Sequence, residues 1–305
     1  MLYNGSNDMT DASHFRGLIA CPRCRSAPLQ WHGERVECPT CGRSFGIGGG
    51  TPLLLAHEER PSISASDVGL LDRLPAPMRP LAERSRPFVR PLLAHRSRAT
   101  RDLTPAFVRS FPDTAAILNI GAGGTDYGRN VVNLDIAPAP RIHVVGLAEA
   151  LPFRDGVFDG VVFQAVLEHV RDASAALNEI ARVLRPGGSV FVEVPFIQGY
   201  HAAPSDYRRF TVNGLRAELS DHGFTVDEAG VAVGPASAMA WIAAEYLALL
   251  LSGRSARAYR VMRVFTTWLA WPVKWTDAWL DGHEMAHVVA SGVWAKGVRT
   301  RPVAG

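Results

Sequence analysis

Apolar positions gather in the middle of the chain as short runs, each closed by a glycine, a proline or a polar residue. ILNI runs into GAGG at 117–124, VVNL closes on Asp135, FDGVVF closes on Gln164 and SVFVEV closes on Pro195. Runs of this length, rich in Val, Ile and Phe and bounded by turn formers, predict β-strands at 116–120, 131–134 and onwards. A helical segment separates the third run from the fourth, which is the alternation of a parallel sheet. FTVDEAGVAVG predicts a sixth strand and HVVASGVWAKGVR a last one. Where a hairpin would suffice to join them, the chain inserts residues 236–285. A sixth strand parallel to the others releases this insertion at the sheet edge that carries the glycine turn, where it forms a helical cap. Trp268, Trp271, Trp275 and Trp279 recur within it at three- and four-residue steps, on one helical face unless Pro272 bends it. Such a face is core by pattern, and beside SGRSARAYRVMR it also fits a helix lying at a membrane interface.

The ends of the first two runs carry the chemistry. A turn through Gly121, Ala122, Gly123 and Gly124 lets the backbone bend sharply with no Cβ in the way of a ligand. A carboxylate at the end of the next strand, Asp135, is placed to accept ribose hydroxyls. Together they predict a nucleoside cofactor at the carboxyl ends of the strands. Only fourteen residues separate Gly121 from Asp135, against the usual twenty or so. The first crossover helix is therefore expected to shrink to a turn. A dinucleotide fold would instead want G-x-G-x-x-G opening a full helix.

In order, ILNIGAGG, VVNLDI, LPFRDGVFDGVVFQAVLEHV and RVLRPGGSVFVEVP resemble the motifs of the class I S-adenosylmethionine (SAM) dependent methyltransferases, over roughly residues 113–235. The resemblance implies an α/β, Rossmann-like seven-stranded sheet of order 3-2-1-4-5-7-6 in a domain spanning 113–305. It implies a SAM site built from Gly121, Ala122, Gly123 and Asp135. Asn119 stands where the family carries an acid. Leu147 stands where many relatives carry an aspartate for the adenine amino group, so Ala148 and Glu149 are the expected substitutes. Gln164 ends its strand at the cofactor edge, and Leu167 is expected to pack on the cofactor.

All four cysteines lie within CPRC and CPTCG, as Cys21, Cys24, Cys38 and Cys41. Two C-x-x-C knuckles suit tetrahedral zinc, and four thiolate ligands leave no open position, so the metal is expected to be structural. Disulfides and a thioredoxin-type redox pair are the other readings of four cysteines. Residues 1–56 form the expected zinc-ribbon module, whose segment 17–55 is similar to the small zinc-ribbon activator subunits of RNA and protein methyltransferases. Residues 57–112 are a Pro- and Arg-rich bridge whose ten arginines against six acids make it locally basic. It reads as a solvated linker, with a surface for a phosphate-bearing substrate as the sharper alternative.

On the acceptor side, PFIQGYHAAPSDYRRFTVNGL resembles a methyltransferase loop that leads into a helix. His201 is the candidate base for a hydroxyl acceptor and His169 the second, because a neutral imidazole accepts protons near pH 7. Asp206, Tyr207 and Arg208 are placed within reach, and Arg208 or Arg209 would bind an anionic group on the acceptor. An Asp206–arginine ion pair that merely seals the loop is the competing reading. The expected function is SAM-dependent O-methylation of a saccharide, glycolipid or related hydrophobic acceptor. An RNA methyltransferase guided by the ribbon and a non-catalytic SAM-binding scaffold are the alternatives. HEMAH at 283–287 spells a zinc-protease signature, but it lacks the long helix that would align its imidazoles. With a net charge of +3 and no basic-then-apolar leader, a cytoplasmic protein is expected, in peripheral contact with the membrane if the insertion faces lipid.

Overall fold

The computed structural model describes residues 15–56, 102–128, 130–201 and 205–300. Most of the Pro- and Arg-rich bridge, and with it the expected basic surface, lies outside the described residues.

The N-terminal module is a small antiparallel meander of β1 (Gln30–His32), β2 (Arg35–Glu37), β3 (Ser44–Gly48) and β4 (Thr51–Pro52). Each cysteine knuckle turns on a left-handed residue just after its second cysteine. These are Arg25 with φ 60° and Gly42 with φ 70°.

The large sheet has seven strands: β5 (Ile117–Ile120), β6 (Val131–Asp135), β7 (Val144–Val145), β8 (Phe158–Gln164), β9 (Leu184–Pro195), β10 (Phe224–Val233) and β11 (Gly292–Arg299). Their spatial order is β10-β11-β9-β8-β5-β6-β7. β11 alone runs antiparallel to its neighbours, so β10 is parallel to β9. This is the expected 3-2-1-4-5-7-6 order. The central strands are buried on both faces, which explains why they read as continuous apolar runs rather than alternating ones.

Among the described residues no helix joins β5 to β6. The sheet face left bare there is covered instead by α1 (Leu103–Arg109), which precedes β5 in sequence. Phe107 of α1 packs its ring on Phe111 and Phe191, over Ile117, Val131 and Val162. Gly160 makes room for this arrangement, since a Cβ there would lie 2.8 Å from the Phe111 ring. The opposite face is covered by α2 (Ala173–Val183), whose Ala176, Leu177, Ile180 and Ala181 are buried.

The ribbon extends the sheet at its β7 edge. Leu54 N donates to Val145 O at 2.8 Å, and on the other side of the ribbon Ala20 N donates to Pro152 O at 3.0 Å and Arg154 N to Leu18 O at 2.9 Å. Ribbon residues Ile19, Val36, Phe45 and Leu54 share one apolar core with the main domain. The edge strand is thereby paired rather than open.

Between β10 and β11 stand α4 (Pro235–Ser252), α5 (Ala256–Ala270), a 3-10 turn over Trp271–Thr276 and α6 (Asp277–Leu280). α3 (Val212–Asp221) lies before β10 and carries the predicted cap, with Thr211 Oγ1 accepting from Gly214 N at 3.0 Å. Buried Ala236, Ala240, Ala244 and Ala248 line one side of α4 where it meets α5. Asp277 supplies the N-terminal cap that α4 lacks locally, accepting from Ala236 N at 2.7 Å and Ser237 N at 2.9 Å. Asp277→Ala is expected to cost about 1–2 kcal/mol, read as a lower denaturation midpoint. Pro272 ends α5, so the four tryptophans do not form one helical face. Three of them are not core: Trp268, Trp275 and Trp279 are exposed, as are Leu249, Leu250, Leu251, Phe265 and Leu269, while Trp271 is partly buried.

Candidate functional site

The carboxyl ends of β5, β6, β8, β9 and β10 share one edge of the sheet, and the loops leaving it build the site. After β5 the chain turns through Gly121 (φ 69°) and Gly123 (φ 55°), in the left-handed region. A Cβ on Gly121 would lie 2.2 Å from Val166 Cγ2, so the turn and the segment after β8 are packed in contact. Gly121→Ala is expected to destabilise the fold by about 1–3 kcal/mol, measured by urea denaturation. At Gly123 a Cβ would meet open space.

Asp135, at the end of β6, accepts from Gly123 N at 2.8 Å through Oδ2 and from Ile136 N at 2.7 Å through Oδ1. It ties the glycine turn to its own strand and keeps lone pairs for hydroxyl donors. The backbone turn, the open space at Gly123 and the half-exposed carboxylate suit a ribonucleoside with a flexible tail. Ala122 is buried beside Ile142 and Val145. Asn119 lies under the turn, buried, with its Nδ2 donating to Asn133 Oδ1 at 3.1 Å on β6. Its polarity serves that cross-strand pair. Ala148 is buried, while Leu147 and Glu149 line an open cleft with Arg171, Arg208 and Glu218. Gln164 donates to Glu193 Oε2 at 2.8 Å, and its Oε1 accepts from Tyr127 Oη at 3.2 Å, bracing the strand ends. Leu167 is wholly buried in the main core.

The loop after β9 is fixed by one ion pair. Arg209 holds both oxygens of Asp206, Nη2 lying 2.6 Å from Oδ2, and also donates to Gly199 O at 3.0 Å. Asp206 in turn accepts from His201 N at 2.8 Å. Burial works against ionisation of Asp206, but the Arg209 hydrogen bonds outweigh it and hold the carboxyl below its ordinary value. Asp206 and Arg209 therefore build the loop, as the sealing reading expects. Tyr207 is half exposed, and Arg208 donates to Arg171 O at 2.7 Å on the rim.

What this loop positions is His201. Its ring lies 5.1 Å from that of His169 and 5.7 Å from that of Trp241, so α4 of the insertion packs against this loop. Burial lowers the His201 pKa despite a contact with Gly199 O, and the nearby His169 works the same way, keeping the imidazole neutral at pH 7. Beneath both rings sits Glu168, wholly buried, a residue the sequence reading passed over between Leu167 and His169. Its Oε1 is 3.7 Å from His169 Nε2 and 4.0 Å from His201 Nε2. Burial pushes its carboxyl up to about 7, against its own backbone amide and Arg209. The signal in the sequence is an acid-histidine pair four residues after a strand that ends at the cofactor edge.

In the ribbon the four thiols converge. Cys21 Sγ is 3.7 Å from Cys41 Sγ, Cys24 Sγ is 3.5 Å from Cys38 Sγ, and all four lie within 4.8 Å of one another. Zinc–sulfur bonds of about 2.3 Å give a tetrahedral edge of roughly 3.8 Å, so the donor set fits that metal. His283, Glu284 and His287 are exposed and end in a 3-10 turn over Ala286–Val288, with no α-helix to align them.

Residues 119–192 match the family model described as a methyltransferase domain. The chain is 55% identical over 49 residues to the demethylmenaquinone methyltransferase of Mycolicibacterium vanbaalenii, covering 16% of this chain and 22% of that protein. It is 41% identical over 96 residues to the ubiquinone/menaquinone biosynthesis C-methyltransferase UbiE of Hahella chejuensis, covering 30% and 38%. The chain thus spans well under half the length of these curated relatives. Among solved structures, it aligns with the 1,6-didemethyltoxoflavin-N1-methyltransferase of Burkholderia thailandensis at 16% identity and TM-score 0.42, covering 90% of this chain and all of that one. It also aligns with a complex between the Haloferax volcanii Trm112 methyltransferase activator and a methyltransferase, at 14% identity and TM-score 0.40, covering 73% and 93%.

Proposed function

We propose that this chain, whose residues 119–192 carry a methyltransferase domain, is a SAM-dependent O-methyltransferase for an amphiphilic acceptor such as a glycolipid, working at the cytoplasmic face of a membrane. Zinc held by Cys21, Cys24, Cys38 and Cys41 keeps the ribbon folded, and the ribbon closes the β7 edge. SAM occupies the glycine turn, with its ribose on Asp135. SAM supplies the methyl group; the protein aligns the reactants and manages one proton.

One observation carries the reading: His169 and His201, on the segments that follow β8 and β9, lie with their rings 5.1 Å apart, and Trp241 of the apolar helix α4 packs 5.7 Å from His201. A hydroxyl is a poor nucleophile until its proton is accepted. The acceptor's O–H bond breaks toward His201 Nε2 as its oxygen bonds the methyl carbon. The carbon–sulfur bond breaks in the same step, leaving neutral S-adenosylhomocysteine. Three features favour a lipid-linked acceptor. α4 is long and apolar enough to cross a membrane by length and composition, though 44% of it is buried. Leu249, Leu250, Leu251, Phe265 and Leu269 are exposed on the hairpin, and Arg254, Arg257 and Arg260 are exposed at its turn. The ribbon sits at the opposite end of the sheet from β10 and its hairpin, a poor place from which to guide RNA.

Incubating the protein with methyl-labelled SAM and separated lipid, glycan and RNA fractions is expected to label lipid. Label confined to RNA would overturn the acceptor assignment. His201→Ala is expected to lower kcat by about 10²–10⁴-fold while leaving SAM affinity, measured calorimetrically, unchanged. Undiminished turnover would remove His201 as the proton acceptor.

A further inference from the structure

Glu168, His169 and His201 form a cluster of acceptors without a donor. The buried carboxylate of Glu168 has no hydrogen-bond partner on either oxygen among the described residues. His169 Nδ1 faces Ser205 O at 2.5 Å and His201 Nδ1 faces Gly199 O at 3.3 Å. A carbonyl only accepts, so His169 Nδ1 carries its ring proton. His201 Nδ1 lies between Gly199 O and the Arg209 Nη2 donor at 3.5 Å, and with its proton on the side of the nearer carbonyl both Nε2 atoms present a lone pair. Both lone pairs are turned toward Glu168 Oε1, at 3.7 and 4.0 Å. The three ligand atoms all lie within 4.8 Å of one another.

Such an arrangement is short of one cation. A single proton serves it poorly, because a proton bridges one pair at about 2.7–3.2 Å and the observed separations are longer. Bonds of about 2.0–2.1 Å from one metal ion to all three atoms put neighbouring ligands roughly 3.0–3.4 Å apart. A contraction of about an ångström or less for the pairs at 3.7 and 4.0 Å would reach that. Histidine ligands ordinarily donate their remaining N–H to a carbonyl or carboxylate, which is what Ser205 O and Gly199 O provide. Arg209, the cation packed behind His201, is neutralised by Asp206.

We infer that Glu168 Oε1, His169 Nε2 and His201 Nε2 form a divalent transition-metal site, separate from the ribbon. Two imidazoles and one carboxylate suit Mn²⁺, Fe²⁺, Co²⁺ or Zn²⁺, and three protein ligands leave positions open. In the methyltransferase proposed above, on which this role rests, an open position takes the acceptor's hydroxyl oxygen. His201 Nε2, once a metal ligand, has no lone pair left for that proton. The metal acidifies the hydroxyl and the proton leaves to solvent, which replaces the transfer to His201 given above.

The test uses the full chain with its ribbon loaded with zinc. Titration with Mn²⁺, followed by loss of the free-ion resonance, is expected to show one further ion per chain. Glu168→Gln, a near-isosteric change whose folding is verified by its melting curve, is expected to weaken that binding at least about tenfold. Co²⁺ at the same site is expected to give weak ligand-field bands without the thiolate charge-transfer absorption of the ribbon. Failure of both Mn²⁺ and Co²⁺ to bind beyond the ribbon, or binding indifferent to Glu168→Gln, would overturn the site. Turnover that persists without the ion would overturn its catalytic role and leave His201 as base. Binding without SAM affinity would instead sink the methyltransferase reading and spare the metal site.

Discussion

Cys38→Ser is expected to strip the ribbon of its metal and to lower the melting temperature of the whole chain. A module of this size buries too little apolar surface to stand alone, and a structural zinc supplies about 10–16 kcal/mol toward folding at neutral pH. Cys38 is buried beside Cys24, 3.5 Å away sulfur to sulfur, and its amide donates to Arg43 O at 2.9 Å. Serine offers no thiolate, and the remaining three sulfurs hold zinc far less tightly. The consequence reaches beyond the ribbon, because Ile19, Leu29, Val36, Phe45 and Leu54 belong to the same apolar core as Leu134, Val144 and Phe153. Once the ribbon frays, Val145 loses its partner and the β7 edge is open for aggregation. Zinc content should fall from one per chain to well below one, and limited proteolysis should cut within the first 56 residues. Full zinc content with an unchanged melting curve would mean that the thiols do not hold a structural metal.

Much of this fold is legible in the residues themselves. The strands announce themselves because a parallel sheet buried on both faces needs unbroken apolar runs, and the fourteen-residue gap from Gly121 to Asp135 leaves no room for a crossover helix. The structure goes one step further, with no helix there among the described residues and α1 covering the sheet face. A segment upstream of the strand it protects has no local signature for that task. The knuckles are legible because metal geometry fixes ligand spacing. Glu168 is harder to read, since its meaning depends on two histidines, one adjacent and one 33 positions away, converging on it. Asn119 has a partner that its place in the motif does not announce, since its Nδ2 donates across the sheet to Asn133 Oδ1. The tryptophans follow a helical period in sequence, and Pro272 breaks that helix before the period can form a face.

Arg182→Ala is expected to be the most destabilising single change in the main domain. Arg182 is buried, and all five of its N–H donors are taken. Nε and Nη2 grip Glu179 at 2.7 Å each. Nη1 reaches Phe153 O at 2.7 Å and Asp155 Oδ1 at 2.6 Å, while Nη2 also reaches Leu151 O at 2.9 Å. Glu179 uses its remaining capacity on Leu151 N at 2.8 Å and on Arg25 of the ribbon at 3.1 Å. Alanine would leave the buried Glu179 charge with only the exposed Arg25 and the Leu151 amide, and would unpair two carbonyls, a loss of about 3–5 kcal/mol and a fall in melting temperature on the order of ten degrees. Arg182→Lys keeps the charge but not the planar fork, so most of the loss should remain. Because residues 151–153 sit between the cofactor edge and the ribbon, through the Ile19–Phe153 bridge, both variants should also loosen the ribbon and expose Arg25 and Glu179 to exchange. The decisive comparison is a double-mutant cycle between Arg182 and Glu179 by chemical denaturation. Effects that simply add would show that the two side chains do not act as one unit, and that the buried fork is not what fastens α2 to the segment before β8.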